Sequence, residues 1–168
     1  MSAPLSSPEP LSGDRQTESF DSGESVLDDW LRRRARANQI SGASRTYVVC
    51  EGKVVVAYYA LASGAIAQAA VPGRFRRNMP DPIPVVVLAR LAVDRNHQGR
   101  GLGRALFRDA ARRVAHAADV IGIRGIVVHA ISEEARKFYI ALGFDPCPAE
   151  AMTLVVTLQD VRATFECS

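Results

Sequence analysis

The segment Gln98-Gly99-Arg100-Gly101-Leu102-Gly103 constrains this chain more than any other. It lies between an apolar run, Val85–Val93, that reads as a buried strand, and a stretch carrying Leu102, Leu106, Ala110 and Val114 on one helical stripe. A strand that turns through glycines into a helix is a built anion site. Glycine lets the backbone turn sharply and approach a ligand, and the first N–H groups of the helix point at it. The spacing excludes two phosphate folds. A nucleotide P-loop needs a Lys after its last glycine, and none follows here. A dinucleotide fingerprint needs a third glycine at position 104 or 106, and those positions hold Arg and Leu.

The remaining pattern predicts a mixed α/β fold in one layer-packed domain. A helix is expected from Ser25, capped by Ser25 with Asp28 as its capping-box partner. It carries Leu27, Trp30, Leu31 and Ala35 on its core face and ends at Gly42. Strands follow at Thr46–Cys50 and Lys53–Ala62, joined at Glu51-Gly52, with a third, short strand at Ala65–Ala69. The segment from Val71 to Pro82 contains three prolines and a glycine and is expected to hold no regular element. A polar turn spans Asp94–Arg100, a strand Ile123–His129, a helix capped by Ser132 stops at Gly143, and Met152–Leu158 supplies the last strand. Residues 1–15, rich in Ser, Pro and Gly, are expected to be a disordered tail, 16–162 the domain, and 163–168 a C-terminal tail.

Composition narrows the class. The N-terminus lacks the basic and apolar regions of a secretory signal, and no apolar run reaches membrane-spanning length. Three scattered cysteines, Cys50, Cys147 and Cys167, fit a reducing cytoplasm. The histidines His97, His116 and His129 are not grouped with cysteines or carboxylates, so no metal site is expected and none of the three receives a role. The net charge of +3 is mild but uneven: Arg32, Arg33, Arg34 and Arg36 cluster, as do Arg74, Arg76 and Arg77. Such clusters serve an anionic partner or form a solvated face.

The glycine segment resembles the pyrophosphate loop of the GNAT acetyltransferases, whose pattern is (Q/R)-x-x-G-x-(G/A); Gln98, Gly101 and Gly103 match its fixed positions. The resemblance extends over Leu88–Asp94, similar to the family's central strand, and Ala135–Phe144, similar to its A-x-x-(F/L)-Y-x-x-x-G-F signature, and covers Phe20 to Leu158 in all. It implies a GNAT fold, with a mostly antiparallel central sheet splayed at the cofactor site and flanked by helices. It implies acetyl-CoA as acetyl donor, held by Leu91, Ala92 and Val93 along the pantetheine arm, by Gln98, Gly99, Arg100, Gly101, Leu102, Gly103 and Arg104 at the phosphates, and by Ala135 and Phe138. Ser132 stands where many members place Asn to hold pantetheine, and is counted with these residues.

Tyr139 occupies the family's tyrosine position and is the catalytic candidate. Acetyl transfer from a thioester leaves a thiolate, and a phenol of ordinary pKa about 10 stays protonated and can donate to it. Asp81, Asp94, Glu133 and Glu134 read as turn or cap residues, so no general base is identified. An α-amine near pKa 7.7–8.0 is partly neutral without one, whereas a lysine amine is not, which favours an α-amine acceptor.

A closer likeness is to the GNAT toxins of bacterial toxin–antitoxin modules, carried by Phe20–Gly23, Leu27–Arg32, Ala43–Tyr47, Tyr58–Ala62 and Ile121–Gly125. It implies acetylation of the α-amino group of aminoacyl-tRNA, a block on translation, and a ribbon-helix-helix antitoxin that binds operator DNA in complex with the toxin. It also implies a homodimer in the cytoplasm. Arg74, Arg76, Arg77 and Arg90 are then the candidate tRNA contacts, Arg90 having an internal ion pair as its alternative. Other readings are a GNAT enzyme for a small amine or a protein N-terminus, a non-catalytic acyl-CoA-binding module, and a nucleic-acid-binding regulator, for which no helix-turn-helix is visible.

Overall fold

The computed structural model describes residues 3–166, which form seven strands and six α-helices. The chain divides into two compact units: one runs through Ala62 and resumes over Ala89–Ala110, the other comprises Ser63–Leu88 and the chain from Ala111 onward. Among the described residues no helix is long and apolar enough to cross a membrane.

The first unit contains two complete α-helices and a three-stranded antiparallel ladder. Its strands are β1 (Glu9–Pro10), β2 (Arg45–Glu51) and the first part of β3 (Val54–Ile66). The order of apolar and polar residues places Val48, Cys50, Val55 and Tyr58 in one core cluster with Leu11, Phe20, Leu27, Leu31, Ala35 and Ala92. The disorder expected over 1–15 gives way here. Leu11 is buried in that core, the Leu11 and Ser6 amides donate to the Thr46 and Cys50 carbonyls (2.9 Å each), and Arg15 pairs with Glu9 at 3.0 Å. A Ser/Pro-rich composition does not foresee a partner edge that satisfies its backbone. Met1 and Ser2 lie outside the described residues.

The single helix expected from Ser25 is two, α1 (Ser25–Arg33) and α2 (Ala35–Ser41), with Gly42 closing the second in the left-handed conformation, φ 83°. Ser25 does not cap: Glu24 is the N-cap position and makes no side-chain bond. Asp28 turns instead to Ser22, accepting from its N–H (3.0 Å) and its hydroxyl (2.7 Å) in a buried position. A tertiary partner has displaced the local cap.

The second unit contains part of β4 (Ile83–Val93), β5 (Gly125–His129), β6 (Asp145–Cys147) and β7 (Glu150–Thr157). β5 and β6 flank β7 antiparallel, while β4 pairs with β5 in parallel over Val85–Val87. That ladder stops at Val87↔Val127, so β5 continues through Val128 and His129 paired only with β7 among the described residues. The third short strand is absent: β3 runs unbroken to Ile66, and Gln68–Ala70 is a 3-10 turn. Pro72 opens a four-residue helix, α3 (Gly73–Arg76), inside the segment expected to be irregular, because Phe75 is drawn into a core with Val71, Ile83, Val85, Val127, Cys147 and Val155. Proline at a helix start costs no hydrogen bond. Strand β6 and helix α6 (Leu158–Glu166) were not expected; α6 occupies most of the predicted C-terminal tail, while Cys167 and Ser168 lie outside the described residues. Helix α4 (Leu102–Ala117) and helix α5 (Glu133–Ala141) fall where expected.

Candidate active site

In the first unit, the turn between β4 and α4 has the backbone geometry that an anion cradle requires. Gly99 and Gly101 adopt φ of 78° and 81°, the left-handed region that costs any residue with a Cβ about 1–2 kcal/mol. A Cβ built at either would meet nothing within 4 Å, so the glycines answer a backbone demand and not a steric one. The first bond of the helix runs from the Ala105 N–H to the Gly101 carbonyl at 3.1 Å. Among the described residues the N–H groups of Gly99 to Arg104 donate to no backbone carbonyl. A row of free N–H groups at the positive end of a 16-residue helix fits a pyrophosphate. Gly103 and Leu102 form the first turn, and Arg100 and Arg104 are exposed cations beside it.

Side chains that do not touch an anion hold this loop in shape. The Gln98 amide donates to the Val93 carbonyl (2.8 Å) and to the Ser22 carbonyl (2.9 Å). Asp94, buried, accepts from the Asn96 N–H at 3.0 Å and from the Asp21 N–H at 3.1 Å, while Arg95 pairs with Asp21 at 3.1 Å. His97 stands 3.2 Å from Glu51, and its Nδ1 is buried without a hydrogen-bond partner, 4.0 Å from Asp94. The segment Asp21–Gly23 is therefore a buttress of the loop. Nothing in its local pattern signals this, since its partners lie more than seventy residues away. Along β4, Ala92 points into the core, which leaves the half-buried Leu91 and Val93 on the opposite face.

The arginines separate by their surroundings. Arg90 makes no ion pair among the described residues; its guanidinium lies over the Trp30 ring at 5.3 Å, with Nη1 donating to the Ala89 carbonyl at 2.8 Å and Nε buried and unpartnered. Arg32 donates to the Phe20 carbonyl at 2.6 Å and pairs with Asp29, and Arg36 donates to the Arg15 carbonyl. Both tie the N-terminal segment to helices α1 and α2.

In the second unit, Ser132 caps α5 as expected, its hydroxyl accepting from the Ala135 N–H at 3.1 Å, with Glu133 and Glu134 at the positive end of the helix. Ala135 and Phe138 are half-buried on this helix. Tyr139, only 7% exposed, packs edge-on against Phe138 and Phe144, at ring separations of 5.2 and 5.3 Å. Burial pushes its phenol well above the ordinary value of 10.0. No hydrogen bond to its hydroxyl is found among the described residues. A buried phenol of this kind is protonated throughout the neutral range and can give a proton to a developing anion.

Also in this unit, Arg74 pairs with Asp145 (3.6 Å) and Asp160, Arg76 donates to the Val71 carbonyl at 3.1 Å, and Arg77 is exposed. Asp81 accepts from the Gln68 N–H at 3.1 Å, a turn role.

The free N–H groups of the first unit can hold a pyrophosphate, and the buried phenol of the second can protonate a leaving group; each is a chemistry that acyl transfer from a coenzyme A thioester uses. The comparisons with known proteins narrow that class. A family model described as "Acetyltransferase (GNAT) domain" matches residues 42–146. A "tRNA-acetylating toxin" of Mycobacterium tuberculosis is 52% identical over 158 residues, covering 94% of this chain and 95% of the relative. The solved structure of AtaT complexed with acetyl-methionyl-tRNAfMet superposes with a TM-score of 0.88 at 30% identity, over 96% of this chain and 99% of AtaT. A mutant AtaT toxin bound to the C-terminus of the antitoxin AtaR and acetyl-CoA gives 0.83 at 30% identity, over 97% and 99%. The chain belongs to the GNAT acetyltransferase family.

Proposed function

We propose that this enzyme is a toxin that transfers acetyl from acetyl-CoA to the α-amino group of an aminoacyl-tRNA, and so blocks translation. The observation that carries this reading is the near full-length match to the tRNA-acetylating toxin at 52% identity. The free N–H groups at the start of α4 and the protonated Tyr139 support it chemically.

When bound, acetyl-CoA supplies an acetyl group activated as a thioester. The loop Gln98–Gly103, with Arg100 and Arg104, neutralises the pyrophosphate, and Leu91 and Val93 offer backbone groups to the pantetheine arm like an added strand. Ser132, Ala135 and Phe138 complete the cofactor contacts. The acceptor amine, neutral in part at cell pH, forms the new N–C bond as the C–S bond breaks. Tyr139 gives its phenolic proton to the departing sulfur, and the proton shed by the amine goes, by way of solvent, to restore the phenol. No base is required of the protein, which suits an α-amine and not a lysine.

Arg76, Arg77 and Arg90 are the proposed tRNA contacts; such contacts supply affinity without sequence choice. The proposed partner is a ribbon-helix-helix antitoxin that binds operator DNA with the toxin, and the proposed state is a homodimer in the cytoplasm. The test is direct: incubate the protein with labelled acetyl-CoA and total charged tRNA. Label is expected in the aminoacyl end, released with the amino acid by mild base. Label entering only small amines or peptides would leave an acetyltransferase and remove the toxin.

A further inference from the structure

The stretch Ile121-Gly-Ile-Arg-Gly125 precedes β5, and its role is visible in what it touches. Helix α3 is a single turn, and its last carbonyls have no helical N–H to accept from. Arg124 supplies the donors. Its Nε donates to the Phe75 carbonyl and its Nη2 to the Arg74 carbonyl, both at 2.8 Å, while its guanidinium lies 5.8 Å over the Phe75 ring. Arg124 is itself held at both backbone ends: its N–H donates to the Pro84 carbonyl at 2.9 Å and its carbonyl accepts from the Leu158 N–H at 3.0 Å. The neighbouring Gly125 makes room for the same ring, since a Cβ there would sit 3.0 Å from Phe75 Cε2 and run into the Val156 carbonyl.

The loop is secured elsewhere as well. Arg74 is tied to Asp145 and Asp160, Arg76 to the Val71 carbonyl, and the Gln68 amide donates to the Met79 carbonyl at 2.6 Å. Between these ties the exposed tip Arg77-Asn78 remains, Asn78 at φ 61°. Two carboxylates answer the charge of Arg74, and none is paired with Arg76 or Arg77 among the described residues.

We propose that Arg124 is a positioning residue that caps α3 and so presents Arg77, seconded by Arg76, to a phosphate of the RNA substrate, while Arg74 is a structural tether. This rests on the aminoacyl-tRNA reading above. A guanidinium reaches two successive carbonyls with one rigid fork, which a lysine ammonium does not, so Lys is not a substitute here.

The experiment uses the full chain with Arg124→Lys, Arg77→Gln, Arg74→Gln and the Arg124→Lys/Arg77→Gln double variant. Thermal unfolding and acetyl-CoA binding serve as controls for folding. For Arg77→Gln, KM for charged tRNA is expected to rise roughly tenfold with kcat unchanged, and the log–log salt slope to fall by about one. Arg124→Lys is expected to raise KM similarly, and the double variant to be no worse than Arg77→Gln alone, the signature of one residue acting through another. Arg74→Gln should change KM less than about twofold. Additive effects in the double variant, or an Arg74→Gln effect equal to that of Arg77→Gln, would overturn the proposal. Hydrogen exchange reads the same device without substrate: Arg124→Lys should deprotect the Phe75, Arg76 and Met79 amides, whose bonds to Pro72 and Arg76 close the turn. Unchanged protection would also overturn it. A wild-type protein that acetylates no charged tRNA would refute the RNA contact and the parent reading, whereas lost protection in Arg124→Lys would still support the cap.

Discussion

Replacing Tyr139 by Phe removes one hydroxyl and almost nothing else. The ring keeps its edge-on contacts with Phe138 and Phe144, at 5.2 and 5.3 Å, and no protein hydrogen bond to the hydroxyl is lost among the described residues. Unfolding free energy should therefore change by less than about 0.5 kcal/mol, and the melting temperature by less than about 2 °C. Chemistry should respond differently. A positioned general acid contributes roughly 10²–10⁴-fold, or about 3–5 kcal/mol of barrier, so kcat should fall by that factor with acetyl-CoA affinity unchanged. The pH profile carries a second signature. Burial raises the phenol above its ordinary 10.0, so the proton needed by the sulfur is present up to at least that pH. The wild-type rate should rise through the acceptor's pKa of about 7.7–8.0 and show no alkaline fall below about pH 10. Single-turnover transfer from labelled acetyl-CoA, measured from pH 6.5 to 9.5, reads both. A Phe variant that retains more than about a third of the wild-type rate would refute the general-acid role; an alkaline fall near pH 8 would place the acid elsewhere.

Three further outcomes follow from the same geometry. Gly101→Ala should cost about 1–2 kcal/mol of stability, because φ 81° strains any Cβ although open space surrounds it, and calorimetry should show weaker acetyl-CoA binding. Gln98→Ala, which frees the Val93 and Ser22 carbonyls, should raise KM for acetyl-CoA roughly tenfold and leave KM for the acceptor unchanged in steady-state kinetics; the reverse pattern would show that the loop is not the donor site. Gly125→Ala should destabilise by more than about 3 kcal/mol in urea unfolding, since the added methyl meets the Val156 carbonyl inside the β5–β7 ladder.

The glycine cradle was legible in the sequence because its requirement is local: two left-handed residues and a helix start lie within six positions. Ser132 and its helix were legible for the same reason, as the hydroxyl caps an N–H three residues on. The Tyr139 assignment came from likeness, and its burial against Phe138 and Phe144 is a tertiary fact that no local pattern carries. Where a distant partner competed, local reading failed. Asp28 left the helix cap for Ser22, Phe75 pulled one helical turn out of a proline-rich stretch, and the N-terminal segment found an open edge on β2. The arginines show the division most clearly. Composition presents Arg32, Arg36, Arg74, Arg76, Arg77 and Arg90 as equivalent cations. Folding answers Arg32 and Arg36 with carbonyls, Arg74 with two carboxylates and Arg90 with an indole face, and leaves Arg77 exposed. A charge is a property of a residue and can be read from a string of letters. Whether that charge is still available to a ligand depends on what the chain brings within a few ångströms of it, and only the tertiary structure decides that.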